Sequence, residues 1–539
     1  MNARILLGAA LAGLLACAAP QRVGAQAPAA APAWTRGATC YEVFVRSFKD
    51  SNGDGIGDLN GLISKLDYIN DGNPASKTDL GASCIWLMPV AASPSYHGYD
   101  VTDYYQVNPQ YGTAADFKRL VAAAHKRGIK VIVDMVPNHT SSEHPHFEAA
   151  LRDTNSPYRS WYRFSPKPLG NGPWGVPAWH KSPVRDEYYY GIFSAGMPDL
   201  NYHTSAVQAE MKKIARFWLK TMGADGLRLD AVQYLVEDGN CMMDCEGTHD
   251  YLRSYAAYIR QIDPQAYTVG EVWDPVKTLL TYYPDQLTGY FTFWLADSLR
   301  TAVHRGTVGG MFDDYLTLQA AEPAYRWSPI LSNHDGTRIM TVLHGNVAAA
   351  RQAATLLLTL PGMPYLYYGE EIGMVGDKPD PRLRTPMQWA PGAGYGFTTG
   401  HPWERAQSDS MTTTVAAETG DSTSLLNLYR RLIHLRKAND ALAAGTLVTL
   451  TASSPHVAAY LRRAASHAVL VVANLGDSSA TSVSLASAVG ALPAGRYTPR
   501  TLLGGSNGAI LTVGADGRIV GYIPVATLQA RETLVFELR

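Results

Sequence analysis

The sequence predicts a (β/α)8 barrel, a smaller segment inserted after its third strand, and a separate β-domain at the C-terminal end. Three observations predict it. Short runs that are apolar on both faces alternate with helical patterns, as strands do in a parallel sheet covered by helices. About eight such units fit the length available. No glycine-rich dinucleotide loop follows the first strand, which argues against an open doubly wound sheet.

In chain order, "CYEVFVRSF" (40–48) reads as the first strand, and Leu59, Leu62, Ile63, Leu66 and Ile69 then recur at helical spacing. "CIWLMPV" (84–90) reads as the second. "ADFKRLVAAAHKRG" is a helix closed by basic residues and a glycine, and "KVIVDMVPNH" follows at once as the third strand. Later strands are expected in "GLRLDAV", "YTVGEVW", "SPILSNHD" and "PYLYYGEEIG". Residues 140–203, with Trp161, Trp174, Trp179 and several prolines, are too long for an unstructured loop and read as an inserted domain between barrel segments 34–139 and 204–445. Residues 446–539 turn strand-rich ("HVAAYLRR", "AVLVVANLG", "ETLVFELR") and read as a β-sandwich.

The chain has 539 residues, 46% of them hydrophobic, enough for a sizeable core. A net charge of −1 and the lack of a long basic run exclude nucleic acid as the expected partner. Thirty-one tyrosines and eleven tryptophans fit either core packing or a surface for stacking sugar rings; composition does not choose. Arg4 and the apolar run "ILLGAALAGLLACAA" have the form of a secretion signal, so residues 1–33 are expected to be signal and Ala/Pro-rich tether. "LLAC" ending at Cys17 resembles a bacterial lipobox, and "VGAQ" an ordinary cleavage site. The lipobox is favoured because Cys17 has no other evident purpose. An exported protein is expected, extracellular, periplasmic or lipid-anchored, and monomeric. Any membrane attachment would run through the N-terminal lipid. Cys241 and Cys245 in "CMMDC" can close a small loop, and Cys40 and Cys84 each open a strand and can face one another; buried free thiols are the alternative.

In such barrels chemistry sits at the C-terminal ends of the strands. Those ends hold Asp134, Asn138 and His139, then Arg228 and Asp230, then Glu271, then His334 and Asp335. One strand-end aspartate is commonly a turn or cap residue. Three carboxylates at three strand ends (Asp230, Glu271, Asp335) converge on one mouth, and paired carboxylates are what glycoside hydrolysis requires. Arg228, two residues before Asp230 and so on the same strand face, is expected to keep that carboxylate charged. Glu271, in "TVGEVW" beside Trp273, is expected in apolar surroundings that suit a proton donor.

"DMVPNH", "GLRLDAVQY", "GEVW" and "LSNHD", in that order, resemble the four signature segments of the α-amylase family, glycoside hydrolase family 13; "MPDLN" (197–201) resembles its fifth, and "YYGEEIGM" and "RTPMQW" resemble later ones. The resemblance runs from about residue 38 to 445 and implies a retaining hydrolase acting on α-glucans or maltooligosaccharides. It makes Asp230 the nucleophile, Glu271 the acid/base and Asp335 the residue that binds sugar hydroxyls. Arg228 would orient Asp230, His139 and His334 would hydrogen-bond the sugar, Tyr99 would stack beneath it, and His97 would lie beside it.

"DSNGDGIGDLNG" (50–61) places Asp50, Asn52, Asp54 and Asp58 as in a calcium loop, but Gly61 stands where an EF-hand has glutamate. With the Ile56 carbonyl these residues supply hard oxygens for a structural Ca2+, in a loop where several family members carry one; a solvated run of Asx turns is the alternative. The resemblance also implies a second Ca2+ at Asn138 and Asp199. Tyr96 and His97 stand where exo-acting glucosidases usually show an aspartate, and Ala231 after the nucleophile resembles α-1,4 enzymes. Gln233 and Tyr234 depart from the Lys-His of typical α-amylases. An endo-acting α-amylase is therefore the expectation, with an exo-glucosidase or transglycosylating relative next, and a non-catalytic carbohydrate-binding protein third.

Overall fold

A computed structural model describes residues 31–505 and 507–539. Cys17, both processing sites and most of the tether lie outside the described residues. Eight parallel strands form the central sheet: β1 (Cys40–Val43), β2 (Cys84–Leu87), β3 (Lys130–Met135), β4 (Gly226–Leu229), β5 (Tyr267–Gly270), β6 (Gly289–Phe291), β7 (Trp327–Ser328) and β8 (Tyr365–Tyr367). Strands are paired in chain order from β1 to β7, and β8 pairs with β1. Backbone bonds from Met363 N to Trp327 O (2.7 Å) and from Tyr365 N to Pro329 O (3.0 Å) tie β8 to the β7 end, closing the barrel.

Alternation along each strand divides the core. Tyr41, Val43, Ile85, Leu87, Val131, Val133, Leu227 and Leu229 face the surrounding helices. Cys40, Cys84, Trp86, Ile132, Tyr267, Val269, Phe291 and Tyr365 fill the barrel interior. The same inward face carries polar side chains near the strand ends, where packing gives way to chemistry. A typical covering helix, Ala114–His125, starts at a capping box formed by Thr113 and Asp116 and ends just before Gly128, whose φ of 71° turns the chain into β3.

Between β3 and β4 the inserted segment folds into helix Pro145–Arg152 and a three-stranded antiparallel sheet of Phe164–Ser165, Tyr188–Tyr190 and Trp179–Lys181. The C-terminal region holds a six-stranded sheet: β9 (Thr446–Ala452), β10 (Val457–Arg463), β11 (Ala468–Asn474), β12 (Leu485–Ala486), β13 (Pro499–Leu503) and β14 (Thr533–Leu538), in spatial order β12-β9-β10-β11-β14-β13. Period-two alternation again sets the layers. Ala458, Tyr460, Val469 and Val471 join the barrel's core, while Val457, Ala459, Leu461, Leu470 and Val472 pack with Leu511, Val513, Ile519 and Leu528. The latter come from two short ladders and their connections, the second layer of a sandwich.

Cys40 and Cys84, partners in the β1–β2 register, are joined as a disulfide, as are Cys241 and Cys245. One strand lies earlier than the sequence suggests. β7 is Trp327–Ser328, and "ILSNHD" is irregular chain leaving the barrel mouth, because its polar residues turn to partners there rather than to a neighbouring strand.

Candidate active site

The mouth of the barrel is organised around Arg228. It projects from β4 opposite Asp134 of β3, in register, and only 1% of it is exposed. Its Nη1 lies 2.9 Å from Asp134 Oδ1 and 2.7 Å from Asp230 Oδ1, and its Nη2 lies 2.7 Å from Glu271 Oε2. One guanidinium thus spans both carboxylates of the expected catalytic pair. Ala231 adopts a left-handed backbone (φ 49°), uncommon for a residue with a side chain, and its N–H reaches Glu271 Oε2 at 3.1 Å. Trp273 Nε1 donates to the other oxygen, Oε1, at 2.7 Å. The apolar surroundings expected for Glu271 are therefore corrected to polar ones. Tight turns after β4 and β5 bring N–H donors onto both of its oxygens.

Asp335 faces the same cavity from the chain after β7. His334 Nε2 lies 3.0 Å from Asp335 Oδ2, and His334 Nδ1 lies 2.6 Å from Glu42 Oε1 of β1. Arg384 Nη2 donates to Asp335 Oδ1 at 2.8 Å. Tyr99 lies parallel to the His334 ring (12°, centroids 5.5 Å apart), and its hydroxyl donates to Asp134 Oδ2 at 3.0 Å. His97 also stacks with Tyr99 (24°, centroids 6.1 Å apart), and His139 meets the Tyr99 carbonyl at 3.1 Å. Asp230, Glu271, Asp335, Tyr99, His97, His139 and Arg384 line one cavity of about 410 Å3 with Trp174, Phe193 and Tyr234. Of the residues expected there, Arg228 and His334 stand behind the wall, and the other six face the cavity.

Burial dominates the electrostatics. It pushes the Asp230 carboxyl well up from the usual range. Arg228 pulls the other way, while Glu271, Asp134 and Asp335 add to the rise. Asp134 is likewise raised by burial to about 6. Arg228 acts on Asp230 in the direction expected of it, holding the carboxyl down against burial and against Glu271, Asp134 and Asp335, and the same cation is shared with Asp134 and Glu271. For His334 burial acts downward, but Asp335 and Glu42 outweigh it and raise the imidazole to about 9. Burial acts upward on Asp335, yet His334 and Arg384 hold it well below the usual carboxylate range. Burial, opposed by the bond to the Tyr99 carbonyl and aided by nearby His97, lowers His139 to about 3, which leaves it neutral.

This arrangement of carboxylates around a buried arginine at the mouth of a closed parallel barrel is matched by similarity along the chain. The family described as "Alpha amylase, catalytic domain" matches residues 42–445. The chain belongs to the alpha-amylase family. Alpha-amylase 3 of Dictyoglomus thermophilum is 38% identical over 448 residues, covering 82% of this chain and 85% of that protein. A trehalose synthase/amylase of Mycobacterium tuberculosis is 35% identical over 505 residues, covering 82% of each. The crystal structure of an alpha-amylase from H. orenii superposes with a TM-score of 0.80 at 38% identity, covering 94% of this chain and 100% of that one. As a member of the family, the chain is a glycoside hydrolase.

Four residues of this alpha-amylase-family site escaped the sequence reading. Arg384 and Asp380 come from the segment after β8, where "RTPMQW" carried a hint of the first. Trp174 and Phe193 come from the inserted domain. The 50–61 loop winds through Asx turns. Asp50, Asn52 and Asp54 each accept the amide two residues ahead, at 2.9, 2.9 and 2.8 Å. Asp58 caps helix Leu59–Ser64 through Gly61 N and also accepts from Ser51. Among the described residues no three acidic, histidine or cysteine side chains form a metal-holding group. The donor set of carboxylates, amide and carbonyl nevertheless has the hardness Ca2+ selects. Asn138 and Asp199 meet where the inserted domain joins the barrel. Burial raises Asp199 to about 8, and its Oδ2 is buried without a hydrogen-bond partner, a position suited to a proton or a cation.

Proposed function

We propose that the protein is an endo-acting retaining α-glucanase that cleaves α-1,4 bonds of starch, glycogen or maltodextrins. The observation that carries the mechanism is the single Arg228 guanidinium held 2.7 Å from both Asp230 and Glu271. In this reading Asp230 attacks the anomeric carbon; its bond to that carbon forms as the bond to the leaving sugar oxygen breaks. Glu271, acting as the general acid, gives that oxygen a proton. Glu271 then removes a proton from water, which displaces Asp230 with a second inversion. Such a pathway requires the two carboxyl groups roughly 5–5.5 Å apart, a span one guanidinium accommodates. Asp335, held charged by His334 and Arg384, binds sugar hydroxyls and favours the positively charged transition state.

Endo action is supported by the shape of the cleft. The catalytic cavity adjoins a second of about 630 Å3, and Trp273 and Asp335 line both, so there is room for more than one glucosyl ring. A transglycosylating variant of the same chemistry is the second reading, favoured by the 35% identity to a trehalose synthase/amylase. Digestion of a long maltooligosaccharide blocked at its non-reducing end separates the two. Mixed shorter products with α-configured new ends support endo hydrolysis, and no cleavage of the blocked chain overturns it. Asp230→Asn and Glu271→Gln test the mechanism, and undiminished hydrolysis by either variant would sink it.

A further inference from the structure

Gln233 lies three residues after Asp230, in the short turn Val232–Tyr234, and is 1% exposed. Its Oε1 accepts the main-chain N–H of Trp273 at 2.7 Å, and its Nε2 donates to Asp274 Oδ2 at 2.5 Å. A flipped amide would set two donors against each other and two acceptors against each other, so the network admits one orientation. The Gln233 carbonyl in turn accepts the N–H of Asp244 at 2.9 Å, inside the loop closed by Cys241 and Cys245. Gln233 is thus fixed at both its backbone and its side chain.

What it holds is the chain immediately beyond Glu271. Trp273 is 48% exposed, and its ring is stacked at 3.7 Å on Phe293, a buried residue of the barrel's core. Its indole N–H meets Glu271 Oε1 at 2.7 Å. Glu271 Oε2 is already engaged by Arg228 and the Ala231 N–H, so among the described residues the indole is the hydrogen-bond partner that directs Oε1. Moving the Trp273 backbone would move the indole and re-aim that oxygen.

We propose that Gln233 is a positioning residue for leaving-group protonation, acting through Trp273 on Glu271. This rests on the reading of Glu271 as the acid. A residue that positions the acid matters only where the leaving group needs a proton, which a merely structural residue does not imitate. The experiment compares kcat/KM, which reports the glycosylation step, on a maltooligosaccharide and on dinitrophenyl α-maltoside, whose phenolate departs unprotonated. Gln233→Met removes both side-chain bonds at similar length. It is expected to lower kcat/KM about ten- to a hundredfold on the maltooligosaccharide, the scale of a misplaced catalytic group. On the aryl maltoside the change should stay within about threefold. Should the methionine variant not fold, Trp273→Phe, which keeps the ring stack and deletes the indole N–H, is expected to show the same split. An equal fall on both substrates, or none on either, overturns the proposal. Glu271→Gln serves as the reference and should show the split most strongly. If it does while Gln233→Met is flat, only the role of Gln233 falls; if Glu271→Gln cleaves the maltooligosaccharide like the wild type, the acid assignment itself falls.

Discussion

Arg384 Nη2 stands 2.8 Å from Asp335 Oδ1, while its Nε–H donates to the His334 carbonyl at 2.9 Å. One buried guanidinium therefore holds the side chain of Asp335 and the main chain beside it, in a planar fork that an ammonium lacks. Asp380, 3.2 Å away, completes its neutralisation. Arg384→Lys should keep the charge and lose the fork. We expect kcat/KM on maltooligosaccharides to fall about a hundredfold, the effect of displacing a reacting group by about 1 Å. Steady-state kinetics with a melting curve as the folding control check this. Wild-type kinetics in the lysine variant would show that Asp335 is held without the fork.

The His334 ion pairs set an alkaline limit. Asp335 and Glu42 outweigh burial and raise this imidazole to about 9, against about 6.5 for histidine in an unfolded chain. A group raised on folding contributes stability that is fully present below the unfolded value and disappears as pH climbs through the folded one. The melting midpoint of the wild type should therefore decline between about pH 7 and pH 10 relative to that of His334→Asn. A series of melting curves across that window checks it. A constant gap between the two proteins would mean that His334 is uncharged in the fold.

How much of this could be read beforehand follows from the reach of each signal. Arg228 lies on β4 and Asp230 is the residue just past its end, two positions on, so extending the strand's period-two alternation puts them together. Asp230, Glu271 and Asp335 were legible because a parallel barrel brings every strand's C-terminal end to one mouth. Glu42 was not: it is 292 positions from His334, its partner, and reads in sequence as an ordinary strand residue. Arg384 meets Asp335 across 49 positions, with no periodicity to link them. β6, only Gly289–Phe291, is too short for a pattern, and its existence follows from the barrel's count rather than from its own residues.

The 50–61 loop gives a prediction about metal removal. We propose that Ca2+ binds there through Asp50, Asn52, Asp54, Asp58 and the Ile56 carbonyl, clipping the loop after β1. The loop lies against the 397–401 segment, where Asp50 accepts hydrogen bonds from Thr398 Oγ1 and Phe397 O accepts one from Asp50 N. A ligand that binds only the folded state at about a hundred times its Kd adds about 2.7 kcal/mol of stability. Chelation should thus lower the melting midpoint of the wild type, Ca2+ should restore it, and Asp54→Ala should be insensitive to both. An unchanged wild-type melting curve in chelator would leave the loop as a run of Asx turns.

Trp174, Phe193 and Tyr234 form an aromatic wall on the inserted-domain side of the cavity. Trp174 lies 5.3 Å from both of the others, ring centre to ring centre, and it is 48% exposed. A tryptophan left open at a cavity mouth contributes little to folding, and its free face suits the apolar face of a glucosyl ring. Removing it by Trp174→Ala should cost about 1 kcal/mol of binding, roughly a fivefold rise in KM for long maltooligosaccharides. The shortest substrates, which do not reach the wall, should be affected less. Because a sugar held there also competes with water for the glycosyl-enzyme, the variant should give a smaller share of transfer products at high substrate concentration. Chromatography of products against time checks the second effect, and KM across a chain-length series checks the first. If KM rises equally for short and long chains, the wall is not a sugar platform and Trp174 acts only by shaping the inserted domain.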